Sequence, residues 1–358
     1  MQVCFIGMTQ SGKSSLFSAV ATAGGSTVDM SRPDQPHLAV VKVPDERLDW
    51  LTDFYKPKKR TPAEFDILDL PGFDFSDEAG RNRTKAHWPA MKQSDMLVFI
   101  VRAFQNSSVA TYRNRVDAEA DIEELRSEML FADLEQVTNR IDKLEVSVKK
   151  PTPKQAEQKQ ELELMKRLRE KLENEESIAD EIHNETESKM VRSFGFLSQK
   201  PVLIVYNCSE DEIAAGEPDE KIQGIPVLRL NAEIEEEIAQ LPEEERGEFL
   251  ADMGLTDVAS DRLVKACYAG MNLISFLTAG DDECRAWTID QGSSAVEAAG
   301  KIHSDIARGF IRAETIGFED FKTHKGSMKD IKAAGRVRLE GKAYIVEDGD
   351  IINFRFNV

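Results

Sequence analysis

The chain has 358 residues, 41% of them hydrophobic, which is enough for two or three domains with real cores and excludes a disordered polymer. Its net charge of −19 excludes a general polyanion-binding surface, so an RNA contact has to come from a local basic patch and no DNA partner is expected. Four cysteines without a C-x-x-C pair, no apolar run near 18 residues and no visible cleavable signal point to a reducing, cytoplasmic setting without disulfides, zinc or membrane.

In chain order, Val3–Ile6 reads as a buried strand and Ser15–Val20 as the start of a helix. Between them Gly7-Met8-Thr9-Gln10-Ser11-Gly12-Lys13-Ser14 forms a complete G-x-x-x-x-G-K-S phosphate loop. Backbone N–H groups at a helix N-terminus cradle phosphates, so Thr9, Gln10, Ser11, Gly12, Lys13, Ser14 and Ser15 are expected to bind a nucleotide. Lys13 would reach the β/γ-phosphates and stabilise the transferring charge, and the Ser14 hydroxyl would ligate Mg²⁺. Asp69-Leu70-Pro71-Gly72 follows the strand-like Phe65–Leu68 and has the D-x-x-G form. Its Asp69 is expected to hold Mg²⁺ through water and its Gly72 N–H to sense the γ-phosphate; a simple turn is the bland alternative. Further apolar runs at Met96–Val101, Val202–Tyr206 and Val227–Leu230 predict a doubly wound α/β domain.

That domain is interrupted over 121–193, a Gly-free stretch rich in Glu, Lys, Leu and Arg. Leu130, Leu134, Val137, Ile141, Leu144 and Val148 follow the alternating spacing of a coiled-coil seam. Pro151 and Pro153 break the helix, and Leu164, Leu168 and Leu172 mark a second one, which predicts an antiparallel hairpin. After Pro201, Asn207-Cys208-Ser209-Glu210 stands where GTPases carry N-K-x-D. Asn207 would tie the base loop to the phosphate loop. Glu210 would hold the base with reduced guanine selectivity, because one added methylene displaces a bidentate acceptor. Asn231-Ala232-Glu233 takes the place of the other base-contacting loop.

Glu233–Arg246 reads as an acidic helix and Asp261–Gly270 as the last helix of the domain. Beyond Leu273 the texture changes. Arg285–Ile289 reads as a strand, Ser294–Ile306 as a helix, and Arg336–Leu339, Ala343–Val346 and Ile351–Phe356 as short strands. Gly341-Lys342 and Asp348-Gly349-Asp350 would turn the chain between these last strands, giving a small α+β module of ubiquitin-like size. The five histidines show no metal spacing: His303 reads as a capping or packing residue, and His37, His87, His183 and His324 as structural or solvated. Trp287 reads as core.

The assembled motifs resemble the YchF-type Obg-like ATPases, a branch of the translation-factor P-loop GTPases. The resemblance runs from Met1 to Val358 and includes Val43-Pro44-Asp45-Glu46-Arg47-Leu48, the N-x-x-E at Asn207–Glu210 and the hairpin insertion. Its most specific part is the C-terminal third: Phe276–Gly280, Arg285–Ile289, Ala298–Asp305, Gly309–Glu314 and Phe354–Val358 resemble that family's TGS domain. The resemblance implies a P-loop G domain over 1–120 and 194–272, a coiled-coil hairpin over 121–193 and a β-grasp TGS domain over 273–358. It also implies slow hydrolysis of ATP, or of GTP beside it, with Mg²⁺, as a conformational switch, and ribosome or rRNA contact through the TGS domain and hairpin.

Three departures stand out against that family. Pro33 falls where its switch I Thr is expected, with Ser31 or Thr27 as shifted substitutes. The Gly-rich switch II reads Glu78–Thr84 with only Gly80 left, and Arg81 or Arg83 would be an arginine finger in cis if not merely solvated. Phe73 fills the place of a water-orienting Gln, as in the family, and Thr111 fills that of a His. A Thr cannot act as a general base near pH 7, so hydrolysis slower than in relatives is expected. The alternative is a nucleotide-sensing adaptor with little or no hydrolysis, working through its hairpin and TGS module. Lys322, Lys325, Lys329, Lys332, Arg336, Arg338 and Lys342 would form its local RNA contact.

Overall fold

The structure, a computed structural model, describes residues 1–213, 221–253, 255 and 258–357; Val358, the end of the family-like Phe354–Val358 stretch, lies outside them. The chain forms two compact units, one of 1–22, 27–39 and 67–255 and the other of 23–26, 40–66 and 256–358. In chain order the strands are β1 (Gln2–Ile6), β2 (His37–Lys42), β3 (Lys59–Thr61), β4 (Glu64–Asp69), β5 (Met96–Arg102), β6 (Val202–Asn207) and β7 (Lys221–Ile222). They continue as β8 (Ile225–Leu230), β9 (Leu273–Thr278), β10 (Glu283–Asp290), β11 (Phe310–Gly317), β12 (Arg338–Glu340) and β13 (Asp350–Phe356).

A seven-stranded sheet runs in the order β2-β4-β1-β5-β6-β8-β7. β1, β5, β6 and β8 pair in parallel, while β7 closes on β8 antiparallel. All of Met96–Arg102 is buried, as expected of a central parallel strand that reads as one apolar run. Among the described residues no helix is long and apolar enough to cross a membrane.

The insertion folds as the helices Ala118–Ser147 and Gln155–Glu173. Val137, Ile141 and Leu144 are buried with Leu164, Met165, Leu168 and Leu172, whereas Leu130, Leu134 and Val148 are only partly covered. Arg140 clamps Glu161 through two 2.7 Å bonds, a bidentate pair across the helices. Asp133 is fully buried and accepts hydrogen bonds from the Leu197 and Ser198 amides and the Ser198 hydroxyl, which fixes the hairpin to the segment returning to β6.

The second unit holds a six-stranded sheet in the order β12-β11-β13-β9-β10-β3. Its edge strand β3 comes from the first fifth of the sequence and runs parallel to β10. The helix Glu46–Tyr55 belongs to the same unit: Trp50 stacks on Phe54 and meets Phe318 and Phe321 edge-on, near 6 Å. Arg47 bridges Asp45 and Asp348 at 2.9 and 2.7 Å, and Asp348 also accepts the Ser275 amide.

Several local expectations change. Glu233–Arg246 is not one helix: Ala232–Gln240 ends at Leu241, which is extended because Pro242 follows, and Glu243–Asp252 starts afresh. Ser294–Ile306 is likewise split at His303. That residue is extended, and its Nδ1 accepts the Asp305 amide at 3.1 Å, so it caps the helix Ser304–Arg308. Ala343–Val346 forms no strand, since the Tyr344 carbonyl and Val346 amide are taken by Ala295 and Ser293. Trp287 is only half-buried, held between Phe276 and the Arg285 guanidinium, which lies 3.8 Å from its ring.

Candidate functional site

β1 ends at Ile6, and after Gly7–Gly12 the helix Lys13–Ala23 begins. Gln10 and Gly12 both have left-handed backbones, at φ 64° and 84°. A Cβ on Gly12 would lie 2.0 Å from Asn207 Nδ2, and one on Gly72 2.9 Å from Thr9 Cα. Only glycine allows the loop to come so close to its two neighbours.

Lys13 is 4% exposed, and its Nζ lies 2.5 Å from Asp69 Oδ1. The Ser14 hydroxyl donates to Asp69 Oδ2 at 3.0 Å. His37 is not isolated: its Nδ1 is 4.0 Å from Asp69 Oδ2, and its ring meets Phe17. Just beyond Gly72, the Phe73 amide donates to the Gly7 carbonyl at 2.9 Å and its carbonyl accepts the Thr9 amide at 3.0 Å, so the D-x-x-G segment is bolted to the phosphate loop.

On the other side Asn207 Nδ2 donates to the Ser11 carbonyl at 3.0 Å, and its Oδ1 accepts the Ala232 amide at 2.9 Å. Asn231 donates to the Cys208 carbonyl and caps the helix Ala232–Gln240 by accepting the Glu233 and Ile234 amides. Cys208 is buried, whereas Glu210 and Glu233 are exposed at the first turns of their helices.

A cavity of about 810 Å³ is lined by Met8–Ser15, Pro33, Asp34, Pro71, Gly72, Arg83, Thr84, Ala86 and His87. Glu210, Asn231, Ala232, Glu233 and Thr111 do not line it. The loop's Ser11 hydroxyl is buried and has no partner among the described residues, an orphan that an anion's oxygen would satisfy. The hydroxyl of Ser14 and the carboxylate of Asp69 are hard oxygen donors of the kind Mg²⁺ takes. Loop and donor pair therefore fit a magnesium–triphosphate.

The stretch compared with switch II is a helix. Glu78–Lys85 is capped by Asp77, which accepts the Gly80 amide at 2.7 Å. Arg81 pairs with Glu128 at 2.9 Å, while Arg83 is mostly exposed, 3.8 Å from Asp74, and lines the cavity. Thr111 precedes the turn Tyr112–Asn114, whose Tyr112 hydroxyl accepts the Phe75 amide and whose Arg113 donates to the Phe75 carbonyl. Arg102 holds that loop through the carbonyls of Phe104, Asn106 and Ala110. Burial lowers its pKa.

His87, which the sequence presents as structural or solvated, sits on the cavity wall and stacks flat on Phe73. Burial, and after it the charge of Lys13, holds its pKa below the ordinary imidazole value. No spacing rule finds His37 or His87: His37 opens β2 and His87 lies in the turn before the helix Trp88–Gln93, and neither belongs to a motif.

A family model described as a 50S ribosome-binding GTPase matches residues 2–133, and the C-terminal model of the YchF GTPases, described as a protein of unknown function, matches 273–357. The ribosome-binding ATPase YchF of Bacillus subtilis is 38% identical over 363 residues, covering 99% of this chain and 98% of its own. Obg-like ATPase 1 of Oryza sativa subsp. japonica is 33% identical over 374 residues, covering 100% and 92%. The solved structure of the Schizosaccharomyces pombe YchF GTPase superposes with a TM-score of 0.85 at 28% identity, covering 99% of this chain and 97% of that one.

Proposed function

The chain belongs to the YchF-type Obg-like ATPases, a family of P-loop NTP hydrolases, and from that premise we propose a magnesium-dependent, slowly hydrolysing purine-nucleotide switch that works on the ribosome. Thr9–Ser15 hold the triphosphate of ATP or GTP. Asn207, Glu210, Asn231, Ala232 and Glu233 form the base side, and Lys13 and Gly72 meet the γ-phosphate. Ser14 and Asp69 hold Mg²⁺, which when bound neutralises charge on the β- and γ-oxygens.

The observation that carries this reading is the single carboxylate of Asp69 holding both Lys13 and Ser14 beside the phosphate loop. A bound triphosphate would offer Lys13 a better partner, and Ser14 and Asp69 would then be the residues to hold the cation. Binding thus rearranges the D-x-x-G segment, the element that reports nucleotide state in switches of this class. Calorimetric titration with Mg²⁺-ATP and Mg²⁺-GTP tests the reading; no saturable binding of either would end it.

Slow turnover is proposed because Pro33 brings no hydroxyl to the cavity and Thr111 stands outside its lining. Ribosome contact is proposed because the relatives carry that property in their names and because the second unit exposes Lys322, Lys325, Lys329, Lys332 and Lys342. Arg336 and Arg338, by contrast, are paired with Asp320 and Asp350. The working parts are the G domain (1–120 and 194–272), the hairpin (121–193) and the TGS domain (273–358), in the cytoplasm. Replacing Lys325, Lys329 and Lys332 by Glu in the full chain should abolish salt-sensitive co-sedimentation with ribosomes; unchanged binding would locate the contact elsewhere.

A further inference from the structure

We propose that His87 orients and deprotonates the water that attacks the γ-phosphate, a role that neither Phe73 nor Thr111 can fill. The inference rests on the reading that a triphosphate occupies the phosphate loop. Phe73 is the mount: both its backbone polar groups are bonded to Gly7 and Thr9, and its ring is fully buried. The His87 imidazole lies parallel to that ring, with centroids 6.4 Å apart and planes 7° from each other, while Trp88 meets Phe73 edge-on at 6.0 Å.

The His87 backbone is fixed as well. Its amide donates to the Thr84 carbonyl at 3.0 Å, and its carbonyl accepts the Ala90 and Met91 amides. An imidazole held on this mount forms part of the same wall as Lys13, Ser14 and Gly72. Pre-positioning of this kind is what a general base requires.

Its protonation suits the task. Burial and then Lys13 lower its pKa, so the free base with an open lone pair prevails at neutral pH. The charged groups on the neighbouring elements are Asp69 at the end of β4, Asp34 and His37 of switch I, Asp74, Asp77, Glu78, Arg81, Arg83 and Lys85 of switch II, and Lys92 on the helix that follows His87. In the step, the water oxygen forms its bond to the γ-phosphorus while its proton passes to the imidazole. The β–γ bridging P–O bond breaks, and its electron pair leaves with the nucleoside diphosphate. The imidazolium then returns the proton to solvent.

The test uses the full chain with His87→Phe and His87→Gln. Phe keeps the flat stack on Phe73, so a purely structural His87 predicts wild-type turnover for it. The proposal predicts thermal unfolding and affinity for a non-hydrolysable Mg²⁺-ATP analogue close to wild type. It also predicts a single-turnover rate lowered roughly a hundredfold or more, and loss of the acidic limb that the wild-type pH profile should show. His87→Gln should lose the same limb, which decides the matter should the Phe variant not fold. Wild-type turnover with an unchanged pH profile in either variant would overturn the proposal, as would a wild type that binds nucleotide without hydrolysing it. A wild type that binds no nucleotide would remove the nucleotide reading itself, and this proposal with it.

Discussion

Lys13 and Asp69 are 56 positions apart in sequence and form a buried ion pair of 2.5 Å, with 4% and 3% of their side chains exposed. Buried charges are tolerated only when paired, so each depends on the other. Lys13→Ala leaves the Asp69 carboxylate uncompensated and should cost about 3 kcal/mol of stability, besides abolishing triphosphate binding. Combining Lys13→Met with Asp69→Asn should restore most of the stability and none of the binding. Denaturant unfolding of Lys13→Met, of Asp69→Asn and of the double, read as a mutant cycle, measures the coupling.

Asn207 joins Ser11 to Ala232 through both ends of its amide. Asn207→Ala leaves a buried carbonyl and a helix-terminal amide without partners, at about 1–3 kcal/mol. Nucleotide affinity should fall at least about tenfold, because the phosphate loop and base loop are no longer held in register. Titration with Mg²⁺-ATP, alongside thermal unfolding, separates the two losses.

Glu210 opens a short helix at the end of β6 and is exposed. Shortening it to Asp restores the acceptor length that suits guanine. Glu210→Asp should shift the ratio of GTP to ATP affinity toward GTP by roughly tenfold, the worth of about 1.4 kcal/mol. Competition binding with the two nucleotides checks this.

Asp121, in the first turn of the long hairpin helix, is buried beside Glu124 and Asp117, with Arg115 3.2 Å away. Burial comes first among the causes that push its pKa up to about 6. A carboxyl whose folded pKa lies above its unfolded value contributes stability below the unfolded pKa and loses it as pH rises toward 6 and beyond. Asp121→Asn should therefore stabilise the protein near pH 7.5 by on the order of 1–2 kcal/mol and do little near pH 4. Melting temperatures of both proteins across this range decide it.

How much was legible depended on whether the signal was local. The strand–loop–helix around Lys13 and the seam of Val137, Ile141 and Leu144 are encoded within a few turns of chain, and both are found in place. Leu130, Leu134 and Val148 lie on the same seam yet are less covered, because periodicity gives a face and not the length of its partner. Ala343–Val346 alternates like a strand, but its backbone groups are taken by Ser293 and Ala295, a competition no window of sequence reveals. His87 has no spacing signature because Phe73, its partner, is placed by the phosphate loop.

The parallel pairing of β3 with β10 and the packing of Trp50 on Phe318 and Phe321 also bear on how the protein is made. During synthesis Trp50 and Phe54 emerge more than two hundred and fifty codons before the aromatic rings that cover them. The nascent chain must therefore carry the apolar face of this helix uncovered until Phe318 and Phe321 have been made, and a product truncated before Leu273 never covers it. Such a product invites holdase chaperones and proteolysis.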